Sequence, residues 1–246
     1  MSMSRGPGRR GAPLPYRLLA GVEPCPGGWL VVVGKLQGIT LFPDSVEVLR
    51  SFIEVLDYRP AFDVIALHLP VGLPSSPTPG GRTCDREARR VLGWPRAAAV
   101  MAAPARTALG ATTFDEAYAR NGRMDVVQWA RLARIAEVDR DIGSYHQRQV
   151  FEVNPELAFF RLNENRPLHY SKRTRAGRAA TRSLLERRMP GVDRVLDATI
   201  AGARAHHVLD AAADLWTARR IAARAVVRLP EFPEWDDEGL RMEIVR

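Results

Sequence analysis

Apolar residues recur along this chain in two rhythms. Short unbroken or alternating runs read as strands, and spacings of three and four read as helices. The first run, residues 18–22 (LLAGV), is apolar throughout and stops at one carboxylate, Glu23. Pro24, Cys25, Pro26, Gly27 and Gly28 follow. Proline fixes φ and glycine permits positive φ, so the chain must turn there. Residues 29–33 (WLVVV) resume as a strand, and residues 38–42 (GITLF) supply a third. Strands this close in sequence should pair as an antiparallel meander. Asp44 or Ser45 then caps a predicted helix running to Asp57, with Val46, Leu49, Phe52, Ile53 and Leu56 facing inward. Residues 62–67 (FDVIAL) predict a nearly continuous apolar strand, as suits a sheet covered on both faces. That strand ends at His68.

Residues 75–83 (SSPTPGGRT) are turn formers and predict a mobile loop. Residues 85–92 predict a helix that Gly93 stops, and residues 97–110 are Ala-rich but broken by Pro104 and Arg106. Helices are predicted over 114–120 and 125–143. In the second, Val126, Trp129, Ala130, Leu132, Ile135 and Val138 fall at helical spacing, which marks it as core-packing. Residues 149–153 (QVFEV) predict a strand ended by Asn154 and Pro155, and Pro155 can open a short helix over 156–162. Helical patterns cover 171–189, 193–203 and 206–227. Residues 227–229 and 240–245 predict short terminal strands on either side of EFPEWDDEG. The order is that of an α/β fold: a mixed sheet with an antiparallel three-strand meander plus parallel strands, and helices on both faces. It matches the order of ribonuclease-H-like (RNase H-like) proteins.

The length of 246 residues is enough for one large α/β domain and a substantial core. Residues 1–15 are rich in Gly, Pro and Arg with no apolar segment, so they predict a disordered basic tail, not a secretory signal, ahead of a single domain at 16–246. No apolar run approaches the roughly 18 residues of a membrane helix, so a cytoplasmic protein without a membrane partner is expected. Cys25 and Cys84 lack the pairing of a structural zinc site. The net charge of +8 favours a polyanionic partner such as nucleic acid. Yet Lys35 and Lys172 are the only lysines, and an Arg- and Ala-rich chain is also what a biased genome composition yields. The best candidate for nucleic-acid contact is the helix with Arg175, Arg178 and Arg182 at i, i+3 and i+7, entered through Lys172 and Arg173. The same residues read equally as a solvated face. Arg82, Arg86, Arg89 and Arg90 sit beside Asp85 and Glu87, which favours internal pairing.

Sites in RNase H-like proteins gather acidic residues from the ends of the first and fourth strands and from a late helix. The matching positions are Glu23, His68 and the start of the last long helix. There His207, Asp210 and Asp214 share one face, opposite an apolar stripe of Val208, Ala211, Leu215, Ala218 and Ala222. A solvated face is the competing reading of that trio.

GVEPCPGGW, HLPVGLP, CDREARRVLG, FEVNPELAF, SKRTRAG and LDAAADLWTA occur in the order found in the "domain of unknown function 429" family, described as predicted RNase H-like nucleases. The resemblance covers nearly all of residues 18–245. It implies metal-dependent cleavage of a nucleic-acid phosphodiester. Glu23 stands where the family usually has Asp, His68 where it has Asp before Leu- or Ile-Pro, and His206-His207 where it has Asp-Asp. Asp210, Glu152 and Glu156 match. Mg²⁺ prefers oxygen ligands, so two imidazoles weaken a Mg²⁺ or Mn²⁺ site and favour a softer ion. The implied ligands are Glu23, His68, His207 and Asp210. The chemistry would be in-line attack by metal-activated water, with a second metal steadying the leaving oxygen. His68 or His207 would ligate or shuttle a proton, and Glu152 would orient the water. The alternative is a catalytically inactive nucleic-acid-binding module on the same scaffold. A phosphotransferase of the actin-like class ranks last, because the Gly-rich hairpin has no second copy. DNA against RNA, metal identity and oligomeric state are left open.

Overall fold

Alternation along the first strand sorts its side chains between two cores, and this sorting aims the site residues. The structure is a computed structural model that describes residues 15–172 and 174–246. The tail expected at residues 1–15 lies, but for Pro15, outside the described residues, as does Arg173. Strands β1 (Arg17–Cys25), β2 (Gly28–Gln37) and β3 (Thr40–Leu49) form the antiparallel meander. Next come α1 (Phe52–Leu56), β4 (Val64–Leu67), α2 (Thr83–Leu92), α3 (Phe114–Asn121), α4 (Val126–Asp141), β5 (Val150–Glu152) and α5 (Pro155–Leu162). The chain ends with α6 (Arg175–Glu186), α7 (Asp193–Leu196), α8 (Ala205–Ala222), β6 (Arg228–Trp235) and β7 (Arg241–Val245). The five-stranded mixed sheet runs β3-β2-β1-β4-β5, with β4 parallel to β1 and β5 parallel to β4. Strands β6 and β7 pair separately.

Leu19, with Leu30, Val32, Val64 and Ala66, faces a core completed by Phe159 of α5, Leu185 of α6, and Ala211 and Leu215 of α8. Leu18, Ala20 and Val22, with Val31, Ile65 and Leu67, face the other, completed by Phe52 and Val55 of α1 and Ile135 and Val138 of α4. Helices therefore cover both faces. Each fully buried Leu or Ile contributes roughly 1.5–3 kcal/mol. By the same alternation Glu23 shares its face with Leu19 and Gly21 and points toward α8.

Gly21 sets how close α8 comes. A Cβ there would lie 2.0 Å from the Ala211 carbonyl oxygen and 2.3 Å from the Leu215 nitrogen, so any side chain would push helix from strand. Every residue from Val208 to Ala218 is buried. The competing solvated-face reading of Asp210 and Asp214 does not hold: they are only 3% and 0% exposed. Ala211, Ala212, Ala213 and Ala218 lack bulk, so neighbours close on the helix from every side.

The helix expected from residue 44 to 57 also fails. Strand β3 runs on to Leu49, pairing Val46 with Val32 and Val48 with Leu30, and only residues 52–56 are helical. Val46 and Val48 alternate onto the α8-side core, and β-branched residues fit that pleated surface better than a helix. The last hairpin is longer than expected, with EFPEW inside β6. The pattern over 193–203 condenses to the single turn of α7, and 97–110 holds two 3₁₀ turns, Arg96–Ala99 and Arg106–Ala108. Cys25 and Cys84 are buried and unbridged. Among the described residues no helix is long and apolar enough to cross a membrane.

Candidate functional site

The carboxyl ends of parallel strands open onto loops, so this edge of an α/β sheet is where chemistry collects. Glu23 near the end of β1 and His68 just past β4 meet there. His68 Nδ1 lies 2.5 Å from Glu23 Oε2, and the His68 backbone N–H donates to the Val22 carbonyl at 3.0 Å. The turn of α8 that crosses β1 at Gly21, Ala211 to Leu215, carries Asp214 and sets it beside Glu23. One ligand-type atom each from Glu23, His68 and Asp214 lies within 4.8 Å of the other two, the only such trio among the described residues. Ligands about 2.1 Å from a shared ion are separated by up to about 4.2 Å, so a small inward shift would close the three on a divalent cation.

Asp214 is the anomaly. Both its carboxylate oxygens are buried without a hydrogen-bond partner among the described residues. An unpaired buried polar group costs about 1–3 kcal/mol, more when charged. Burial, then the neighbouring Glu23 and Asp210 carboxylates, push its pKa far up, so without a cation it keeps its proton. Glu23 goes the other way: burial would raise it, but His68 and then Arg131, whose Nη2 lies 3.4 Å from Oε1, hold it below its usual range. Burial lowers the His68 pKa, against the pull of Glu23.

Asp210 lines the same cleft but has a protein partner. Lys172 Nζ donates to its Oδ1 at 2.6 Å and lies 3.3 Å from Glu156 Oε1. Burial pushes the Asp210 carboxyl up to about 7, and Lys172 works against that. Burial would lower the Lys172 ammonium, but Asp210 and Glu156 overcome it and raise its pKa. His207 also lines the cleft, with Nδ1 accepting the Arg204 backbone N–H at 3.0 Å as the helix cap. Its ring lies 4.1 Å from that of His206, and burial lowers both, His206 to about 4. The cleft encloses about 1040 Å³, and Arg89, Arg96, Arg123 and Arg131 line it together with Lys172.

Glu152 stands apart from this chemistry. Both its oxygens take bonds from Arg82, at 2.8 and 2.5 Å, and Oε2 also accepts the Val71 backbone N–H at 2.7 Å. Of the basic helix, Lys172 turns inward, Arg182 grips Asp197 with both terminal nitrogens and Glu186 with Nε, and Arg175 is exposed. Arg178 is half-buried.

Sequence reasoning thus brings Glu23 and His68 together and puts Asp210 and His207 in the same cleft. It misses three groups. Asp214 was in view on the shared helix face but was left out of the implied ligands; the surrounding run of alanines is the signal for a helix buried all round. Lys172 read as a phosphate contact. Arg131 sits on α4, whose apolar spacing masked the polar residues on its cleft side.

No curated protein and no solved structure matches the chain. The family model described as "Protein of unknown function (DUF429)" matches residues 21–234, and the chain belongs to that family.

Proposed function

We propose that this protein is a divalent-metal-dependent phosphodiesterase acting on nucleic acid, built on an RNase H-like scaffold. The strand order β3-β2-β1-β4-β5 with helices on both faces supports the scaffold reading. The observation that carries the metal is the Asp214 carboxylate, wholly buried with both oxygens unpartnered beside Glu23 and His68. Two carboxylates and one imidazole suit Mn²⁺ or Zn²⁺ better than Mg²⁺. When bound, such an ion polarises a phosphoryl oxygen and acidifies water.

The chain's own residues do the rest. Glu23 and Asp214 bring negative charge to the ion. Glu23 Oε2 holds His68 Nδ1, which fixes the ring's orientation. Arg131 steadies the other Glu23 oxygen and, with Arg89, Arg96 and Arg123, makes the cleft attractive to a phosphate backbone. His206, neutral at pH 7, stands on the wall as a proton acceptor, while His207, whose Nδ1 takes the Arg204 N–H, turns only a donor Nε2–H to the cleft.

One observation favours a second reading, a silent nucleic-acid-binding module: Glu23 and Asp210 already have cationic partners in Arg131 and Lys172. The test is to incubate the protein with labelled single- and double-stranded DNA and RNA, with Mg²⁺, Mn²⁺, Zn²⁺ or chelator. Cleavage should depend on metal and fall by roughly two orders of magnitude or more in Asp214→Asn, as for a group acting within a unit. A salt-sensitive gel shift without cleavage would leave the silent module. Neither binding nor cleavage would overturn both.

A further inference from the structure

Two carboxylate groupings of unlike state stand at this cleft. Beside Glu23 and His68, both Asp214 oxygens are left unpaired among the described residues, whereas Asp210 and Glu156 share the Lys172 ammonium. Lys172 is delivered there by the fold. Gly177, in the first turn of α6, has no Cβ, and one would lie 1.9 Å from the Ser171 carbonyl oxygen. That gap lets the segment just before α6 tuck beneath the helix and drive Lys172 inward. The Thr174 side chain accepts the Gly177 N–H at 3.0 Å and fixes the entry. Asn154 does the same for α5 by accepting the Glu156 N–H at 3.0 Å, which sets Glu156 at the head of that helix. Lys172 Nζ lies 6.0 Å from the centre of the Phe159 ring, a further contact that suits a cation.

We propose that Lys172 is a resident cation: it occupies the Asp210–Glu156 carboxylate pair and so limits the cleft to a single divalent ion, held at Glu23, His68 and Asp214. The charges support this. Ionised, Glu23, Glu156, Asp210 and Asp214 bring four negative charges, and Lys172 with Arg131 returns two. One divalent ion at Glu23 and Asp214 completes the count for these six groups, whereas a second would have to displace Lys172 from Asp210 and Glu156. Lys172 also excludes an ion sterically. Its nitrogen lies 2.6 Å from Asp210 Oδ1, and no metal fits between the two.

The inference rests on the proposed metal site, and the two can fail separately. The experiment is Mn²⁺ titration of the full chain by calorimetry, with folding followed by circular dichroism. The wild type should bind one Mn²⁺ per chain, and Lys172→Gln should bind two. The double variant Lys172→Gln/Asp210→Asn should return to one. A folded Lys172→Gln that still binds one overturns the proposal. Two Mn²⁺ in the wild type also overturn it, with no variant required. A wild type that binds none refutes the Glu23–His68–Asp214 site, whereas a single ion gained by Lys172→Gln would still uphold the role of Lys172.

Discussion

Glu23 and Glu152 are both buried glutamates at the carboxyl edge of the sheet, one near the end of β1 and the other at the end of β5. Around Glu152 every group is satisfied. Arg82 donates to both its oxygens, to Asp85 at 2.7 Å, and to the carbonyls of Val71 and Gly72 at 3.0 and 2.9 Å. Asp85 in turn takes the Ala103 N–H at 2.9 Å. That network ties the loop before α2 to β5 and to the chain around residue 103. Around Glu23 the neighbouring Asp214 finds no hydrogen-bond partner among the described residues. A closed network that needs no visitor stabilises a fold. An open one of the same chemistry destabilises the empty protein and has a use only when something binds.

Breaking the closed network should have the largest effect. Arg82→Ala leaves Asp85 and Glu152 buried without their cation and should cost roughly 3–5 kcal/mol in urea unfolding. A loss under about 1 kcal/mol would mean that the network is not what joins these elements. Next comes the crossing that creates the open site. Gly21→Ala sets a methyl against the Ala211 carbonyl and should cost about 1–3 kcal/mol or more. By forcing α8 away from β1 it should also weaken Mn²⁺ binding, which calorimetry would detect. Arg82→Ala, if folded, should leave that binding intact.

Smaller again is the clip between α4 and the meander. Glu137 Oε1 accepts from the Phe52 N–H at 2.6 Å and Trp29 Nε1 at 3.1 Å, and Oε2 from Arg134 at 2.9 Å. Glu137→Gln should cost about 1–2 kcal/mol. Burial would raise the Glu137 pKa, but these donors, led by the Phe52 N–H, lower it. Its stabilisation is therefore complete above the ordinary carboxyl value of 4.5 and is lost as pH falls through the lowered one. The gap between wild type and Glu137→Gln should close on acidification. A gap independent of pH would remove the carboxylate from the account.

The sheet was largely legible in the sequence, because apolar runs bounded by turn formers fix strands locally. Its failure at residues 44–57 shows the limit. Val46 fits a helical spacing with Leu49 and Ile53 and a strand alternation with Val48 equally, and pairing with β2 decides. The site was half legible. Glu23 and His68 could be found because strand ends converge by topology. Asp214 could not be read as buried from period alone, since its exposure depends on what packs behind the helix. Nor could Lys172 be read as an internal cation, since a lysine's direction is set by its loop, here by Gly177.

Asp214→Asn should have the smallest effect on the metal-free protein, within about 1 kcal/mol in either direction, because it trades one unpaired neutral group for another. The same variant gives the most direct test of the central claim, that Glu23, His68 and Asp214 form a cation site. Thermal unfolding of wild type and Asp214→Asn should be followed with chelator and with saturating Mn²⁺. An ion at about 100 times its Kd adds about 2.7 kcal/mol, a rise of several degrees for the wild type. The account predicts that rise in the wild type and its absence in Asp214→Asn; an equal rise in both, or none in the wild type, would contradict it.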